Sequence, residues 1–321
     1  MHAKEKLEYA KLLSAAGIDV IEAGFPSSSR GEFKSFEQIA KYFAKSNTTI
    51  CSFSRLIEKD IFLSWQSLKF AKKRRIHLGI ATSDRHLKTK LFMTQSEVLL
   101  RVKKLVEYAN KFKWEIQFYA EDATRTNVKF LQQVFKVAFK AGARHFLIPD
   151  TVGISSVNEY KKTFLSLKKF FKNEKKITLG AHCHDDLGLA VSNSLAAIEG
   201  GAREIQGTFL GIGERSGNAA LEEVILNLNE NLDYKFNYRH NVKSHTLYKL
   251  CSNLSKIINI EIPINKTLVG KNSFATEAGI HVDGSIKNKK NYLAIKPEKY
   301  DRKEEFVLGA RSGKATLKIK L

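Results

Sequence analysis

Seven short runs rich in aliphatic and β-branched residues alternate with longer stretches whose apolar residues recur at helical spacing. This alternation constrains the fold more than any other feature. The runs span residues 18–24, 48–54, 76–82, 115–120, 145–149, 177–184 and 204–210. Between them, Leu99, Val102, Leu105, Val106 and Ala109 fall on one helical face, as do Leu131, Val134, Phe135 and Ala138. Strand, helix, strand, helix means parallel strands joined by right-handed crossovers. Two architectures satisfy that rule, an open doubly wound sheet and a closed barrel. The strand ends separate them. Glu22, Arg55, Ser83, Asp84, Glu121, Asp122, Asp150, Thr151, His182 and His184 stand at or near the C-terminal ends of the runs. An open sheet gathers ligand groups mainly at one switch point, whereas a barrel gathers them from all its strands at one face. The sequence therefore predicts an α/β fold of the (β/α)8 TIM-barrel class. Seven strands leave it one short. The chain opens inside a helical pattern (Leu7, Ala10, Leu13), which places the absent first strand before residue 1.

The barrel is expected over residues 1–230, carrying strands two to eight, with a small, mostly helical linker subdomain over 231–321. A chain of 321 residues suits a barrel of about 250 residues with an appendage. Residues 228–243 are polar and aromatic, as a linker would be. Leu247, Leu250, Cys251, Leu254, Ile257 and Ile258 then mark a helix, and the stretch through Gly279, His281 and Gly284 reads as a loop. An apolar share of 43% supports a sizeable core. No run reaches the roughly 18 apolar residues of a membrane span. Met1 to Glu5 lead straight into a charged amphipathic pattern without an apolar signal segment. Cys51, Cys183 and Cys251 are odd in number and far apart, so neither a disulfide framework nor a zinc knuckle is expected. A cytoplasmic location fits. The formal charge of +21 raises the question of nucleic acid. The lysines are scattered, however, as in Lys72-Lys73, Lys168-Lys169 and Lys287 to Lys290, with no interleaved aromatic stripe. Neither a nucleic-acid nor a membrane partner is expected.

The sharpest local signal is His182-Cys183-His184-Asp185-Asp186. Read with period 2, Ile177, Leu179, Ala181 and Cys183 point one way and Thr178, Gly180, His182 and His184 the other. In a barrel the apolar set faces the helices, so both imidazoles share the inner face, where two nitrogens can grip one cation. A hydrogen-bonded polar strand end is the plainer reading of the same pair. Two imidazoles leave a cation in need of oxygen ligands and open positions. Asn218, closing the loop Gly211-Ile212-Gly213-Glu214-Arg215-Ser216-Gly217-Asn218, either caps the following helix or turns its amide oxygen to the metal. Asp186 suits a supporting hydrogen bond to an imidazole.

The stretch from His182 through Ala197 resembles a signature of the 2-isopropylmalate synthase family, and Gly211 to Asn218 resembles that family's last strand loop. Pro149-Asp150-Thr151-Val152-Gly153, Glu22-Ala23-Gly24-Phe25-Pro26, and Ser273 through Gly284 are similar to further family segments, so the likeness runs the whole length. The resemblance implies a condensation of acetyl-CoA with 2-oxoisovalerate, and His182, His184 and Asn218 as ligands of a divalent metal, Mn2+ or Mg2+ with Zn2+ the alternative. The family's remaining ligand, an aspartate in an Arg-Asp-Gly motif, has no counterpart here, nor has its C-terminal leucine-sensing domain. If residues 1–321 are the whole polypeptide, the metal site is expected to be incomplete and activity very low.

The resemblance also implies residue roles. Glu121 takes general-base or substrate duty, its alternative being a salt bridge with a neighbouring cation. Thr151 hydrogen-bonds the 2-oxo acid carboxylate, or merely caps a strand end. His77 faces the oxo acid, or is a satisfied core histidine. His281 and Tyr292 form a proton-transfer pair delivered from the partner subunit of a homodimer, the plainer alternatives being a loop histidine for His281 and a packing role for Tyr292. Rival readings are citramalate or homocitrate synthase, a lyase of the related barrel, a basic nucleic-acid-binding protein, and an inactive barrel remnant.

Overall fold

Seven parallel strands pair in strict sequence order: β1 (Val20–Glu22), β2 (Thr49–Arg55), β3 (Lys73–Ala81), β4 (Glu115–Glu121), β5 (His145–Asp150), β6 (Thr178–Cys183) and β7 (Glu204–Gln206). Each falls on one of the seven runs picked out by composition. The computed structural model describes residues 1–320 apart from Leu232, Lys235 and Phe236. Two compact units are present, Met1–Leu221 and Glu222–Leu321.

Helices follow the strands because the intervening segments carry both an apolar stripe and a start signal. Ser29 accepts the backbone N–H of Glu32 at 3.1 Å, Asn127 that of Lys129 at 3.0 Å, and Thr94 and Glu97 cap each other reciprocally. The helices Arg30–Tyr42, Glu58–Leu68, Gln95–Asn110, Val128–Ala141, Val157–Phe170 and Ala190–Gly200 result. Alternation along the strands sorts their side chains. Ile50, Leu78, Ile116, Phe118, Phe146, Ile148, Ala181 and Cys183 are all buried, with Phe118 and Phe146 in ring contact with Phe135 of a covering helix. At about 25 cal/mol per Å2, this apolar layer is the main stabilising term of the unit.

The inner face is polar and tied across. Near the strand starts, Arg75 of β3 donates to Glu115 of β4 at 3.0 Å and also bonds Glu204 of β7. His145 of β5 meets the other Glu204 oxygen at 3.1 Å, and Gln117 donates to Glu204 at 3.3 Å. Burial would raise the Glu204 carboxyl, yet His145 and Arg75 hold it below the usual range. One step higher, Gln206 of β7 donates to Glu22 of β1 at 3.0 Å, joining the two edge strands of the curled sheet.

In the second unit, the helix Leu247–Ile258 buries Leu247, Leu250, Cys251 and Leu254, as its spacing predicts. The segment read as a loop through Gly279 and Gly284 is instead a helix, Gly279–Lys287. Val282 and Ser285 are buried on it, and Gly279 lies so close to Gly313 that a Cβ would meet the backbone at 2.8 Å. Tertiary packing here overrides the low helix propensity of its two glycines. Strands β8 (Ala275–Thr276) and β9 (Glu305–Phe306) pair in parallel nearby in the chain, and Tyr300 donates to Glu230 at 2.6 Å.

Candidate metal centre

The register of β6 puts His182 beside Pro149 and Gln206, with the buried Cys183 turned to the other face. The two imidazoles therefore share a side, their ring centroids 5.0 Å apart and their planes at 75°. Their Nε2 atoms are 3.2 Å from each other. His184 directs Nδ1 to the Gly217 carbonyl at 3.2 Å, which places its hydrogen there and leaves Nε2 as an acceptor, turned to His182. Burial, and next the proximity of His184, push His182 down to about 4. Burial, then Arg215, also lowers His184. Both rings are thus neutral near pH 7, the form that binds metal.

The loop after β7 brings up the third candidate. Leu210, Gly211, Arg215 and Gly217 all adopt positive φ, and a Cβ at Gly213 would collide with the Asn218 side chain. This winding returns Asn218 to the His184 backbone, with which it forms an isolated bridge. Asn218 donates its amide N–H to Ile212 at 2.9 Å, while its side-chain oxygen is buried without a partner. It caps no helix, because the next one begins at Leu221 rather than Ala219. The donor set fits a divalent cation. Two nitrogens about 2.1 Å from one ion at about 90–110° lie about 3.0–3.4 Å apart, which matches the imidazole pair, and Asn218 offers an orphaned oxygen. Among the described residues no three His, Cys, Asp or Glu side chains cluster for metal.

His77 of β3 is buried and bonds Glu22 through Nδ1 at 2.5 Å, its Nε2 left without a partner. It packs edge-on against Tyr119 and Phe53. Burial opposes ionisation of Glu22, but His77, then His182 and Gln206, keep its carboxyl below the ordinary range. Glu121, ending β4, accepts from Lys90 at 2.5 Å and has His86 at 3.2 Å, so the salt bridge weighed for it is present. The Thr151 hydroxyl accepts the Asp122 N–H at 2.8 Å. Asp186 supports no imidazole. Its carboxylate is forked onto Arg215 at 2.7 and 2.8 Å, because Arg215 outcompetes a neutral imidazole for the anion. In the second unit, His281 and Tyr292 are both exposed, their rings 4.4 Å apart at 33°.

Sequence reasoning overlooked Gln206, Lys90, His86 and the Arg215 clamp. The period-2 pattern of β7 could have found Gln206, since it alternates with Glu204 on the inner face. Nothing local could have shown where Arg215 reaches, because its direction depends on a left-handed backbone, φ 56°.

The HMGL-like family profile matches residues 1–254, and the Homocitrate synthase post-HMGL domain-like profile matches 268–321. A 2-isopropylmalate synthase 1 of Caldanaerobacter subterraneus subsp. tengcongensis is 42% identical over 321 residues, covering 100% of this chain and 80% of the relative. The chain belongs to the 2-isopropylmalate synthase family. The 2-isopropylmalate synthase of Staphylococcus epidermidis is 46% identical over 99% of this chain and 62% of the relative, so the chain spans under two thirds of that enzyme. Among solved structures, hydroxymethylglutaryl-CoA lyase from Pseudomonas aeruginosa superposes with a TM-score of 0.70 at 19% identity, covering 84% of this chain and 90% of that one. That likeness supports the TIM-barrel fold. Among the described residues, no helix is long and apolar enough to cross a membrane.

Proposed function

We propose that this chain carries the condensing centre of a 2-isopropylmalate synthase: acetyl-CoA, 2-oxoisovalerate and water give 2-isopropylmalate and CoA, the first committed step of leucine biosynthesis. The observation that carries this reading is the pair of neutral imidazoles with Nε2 atoms 3.2 Å apart beside a buried, unpartnered amide oxygen. His182, His184 and Asn218 would hold the divalent cation, Mn2+ or Mg2+ with Zn2+ the alternative. When bound, such a cation polarises the 2-oxo group and offsets the charge that develops on its oxygen as carbon attacks.

The remaining roles fall to the chain. Thr151 accepts from Asp122, so its own hydroxyl hydrogen is free to bind a substrate carboxylate. His77 offers the oxo acid an orphaned Nε2, while Glu22 fixes its ring. Glu121, steadied by Lys90, takes the acetyl methyl proton. The methyl carbon then bonds to the oxo carbon, the former oxo oxygen gains a proton, and water cleaves the thioester to release CoA. His281 and Tyr292 are the proposed proton-transfer pair, acting within a homodimer. The proposal places the barrel over 1–230, the linker over 231–321 and the protein in the cytoplasm.

The test is CoA release, followed with a thiol reagent, using 2-oxoisovalerate, pyruvate and 2-oxoglutarate in turn. If residues 1–321 are all that is assayed, release should be slow, but metal-dependent and in favour of 2-oxoisovalerate. Glu121→Gln should keep Mn2+ binding and lose turnover, whereas His184→Ala should lose both. Preference for another oxo acid, or undiminished release by His184→Ala, would overturn the reading.

A further inference from the structure

We propose that Arg215 is a positioning residue for the cation site, a guanidinium brace that locks the loops after β5, β6 and β7 into one register. The inference rests on the reading that His182, His184 and Asn218 hold a divalent cation. Arg215 sits in the loop after β7 and reaches both neighbouring loops. Its Nε and Nη2 fork onto the Asp186 carboxylate at 2.7 and 2.8 Å, and Nη2 also donates to the Thr151 carbonyl at 2.9 Å. Arginine suits this task because its planar fork fixes a carboxylate in angle as well as distance. The residue adopts φ 56°, a left-handed backbone that only a few per cent of non-glycine residues take, so the surroundings hold it in a costly conformation.

The consequence for the site runs along the backbone. Two residues beyond Arg215, the Gly217 carbonyl accepts Nδ1 of His184 at 3.2 Å and the Asp185 N–H at 3.1 Å. The next residue is Asn218, bridged to His184. Asp186, gripped by Arg215, lies two residues past His184, and Gly153 closes in on its carboxylate so tightly that a Cβ there would meet Oδ2 at 2.5 Å. The loop that carries Asn218 and the turn that carries His184 are thus fastened through the backbone, by the Gly217 carbonyl, the Asn218–His184 bridge and the Ala219 N–H on the Cys183 carbonyl at 3.0 Å, and through side chains by the Arg215–Asp186 fork. The donation to Thr151 adds the loop proposed to hold the substrate carboxylate. Removing the fork leaves every proposed ligand in the chain but loosens the angle between them; partners bonded directly to a ligand change metal affinity by about ten- to a hundredfold, and a brace one bond further out belongs at the lower end of that range.

The decisive measurement is the Mn2+ dissociation constant of the metal-stripped chain, read from the paramagnetic resonance of free Mn2+, with the melting temperature of the metal-free chain as control. Arg215→Gln should weaken Mn2+ binding by about tenfold with little change in metal-free melting. Arg215→Lys should not rescue it, because an ammonium restores the charge and not the fork. Asp186→Asn, nearly isosteric, should weaken binding likewise, and it decides the matter if Arg215→Gln folds poorly. Binding within twofold of wild type in both Arg215→Gln and Asp186→Asn overturns the brace. If the wild type shows no site, or a His182→Ala/His184→Ala chain binds as well as wild type, the cation reading itself falls and the brace with it.

Discussion

Acid should weaken the metal-free fold in part through one side chain, His182. His182 titrates near 6.5 when unfolded, whereas in the folded chain burial and the facing His184 bring it to about 4. The folded state thus refuses a proton that the unfolded state accepts, so the associated stability is complete above about pH 6.5 and is lost as pH falls towards 4. The difference between those values corresponds to about 3 kcal/mol when fully expressed, most of which has gone by pH 4.5. Urea unfolding of metal-stripped wild type and His182→Asn, from pH 7.5 to 4.5, isolates this contribution. Both proteins will lose stability through other groups, His184 among them. The advantage of wild type over the variant should nevertheless shrink by about 2–3 kcal/mol across that range. A difference that stays level within about 0.5 kcal/mol would show that His182 is not held neutral by its surroundings.

Two further expectations concern the barrel interior. Arg75→Met should cost about 3–5 kcal/mol in denaturant unfolding, because it strands the Glu204 carboxylate among groups arranged for a cation. Adding Glu204→Gln should recover part of the loss, and a single mutant as stable as wild type would contradict the interior ring. Gly79→Ala should lower stability by at least about 2 kcal/mol, since a Cβ would run into the Tyr119 carbonyl on β4, which cannot swing aside as a side chain tip can. An unchanged melting temperature would refute that close approach.

Much of this architecture is legible in the sequence because strand periodicity is a short-range signal. The alternation of Leu179, Ala181 and Cys183 with Gly180, His182 and His184 is enough to bring two imidazoles together, and the register with Gln206 follows from the pairing of adjacent strands. What depends on long-range or left-handed geometry was not legible. The pairing of Asp186 was misjudged because a carboxylate beside a histidine suggests a local partner, while its actual partner lies 29 residues away on a loop with positive φ. The helix Gly279–Lys287 was missed for a related reason. Its glycines argue against a helix locally, and only the burial of Val282 and the approach of Gly313 favour one.

The bond between Gln206 and Glu22 joins residues 184 positions apart, whereas every strand pairing in the sheet links sequence neighbours. Growth of the sheet from β1 onwards can therefore proceed through contacts of modest sequence separation, and such contacts form early in folding. The imidazole pair and its amide companion belong to the final two stages of that growth. A molecule arrested at β5 would already present Glu22, His77 and Glu121 but would have nowhere to lodge an ion, so the capacity for chemistry arrives together with the end of assembly and not by degrees.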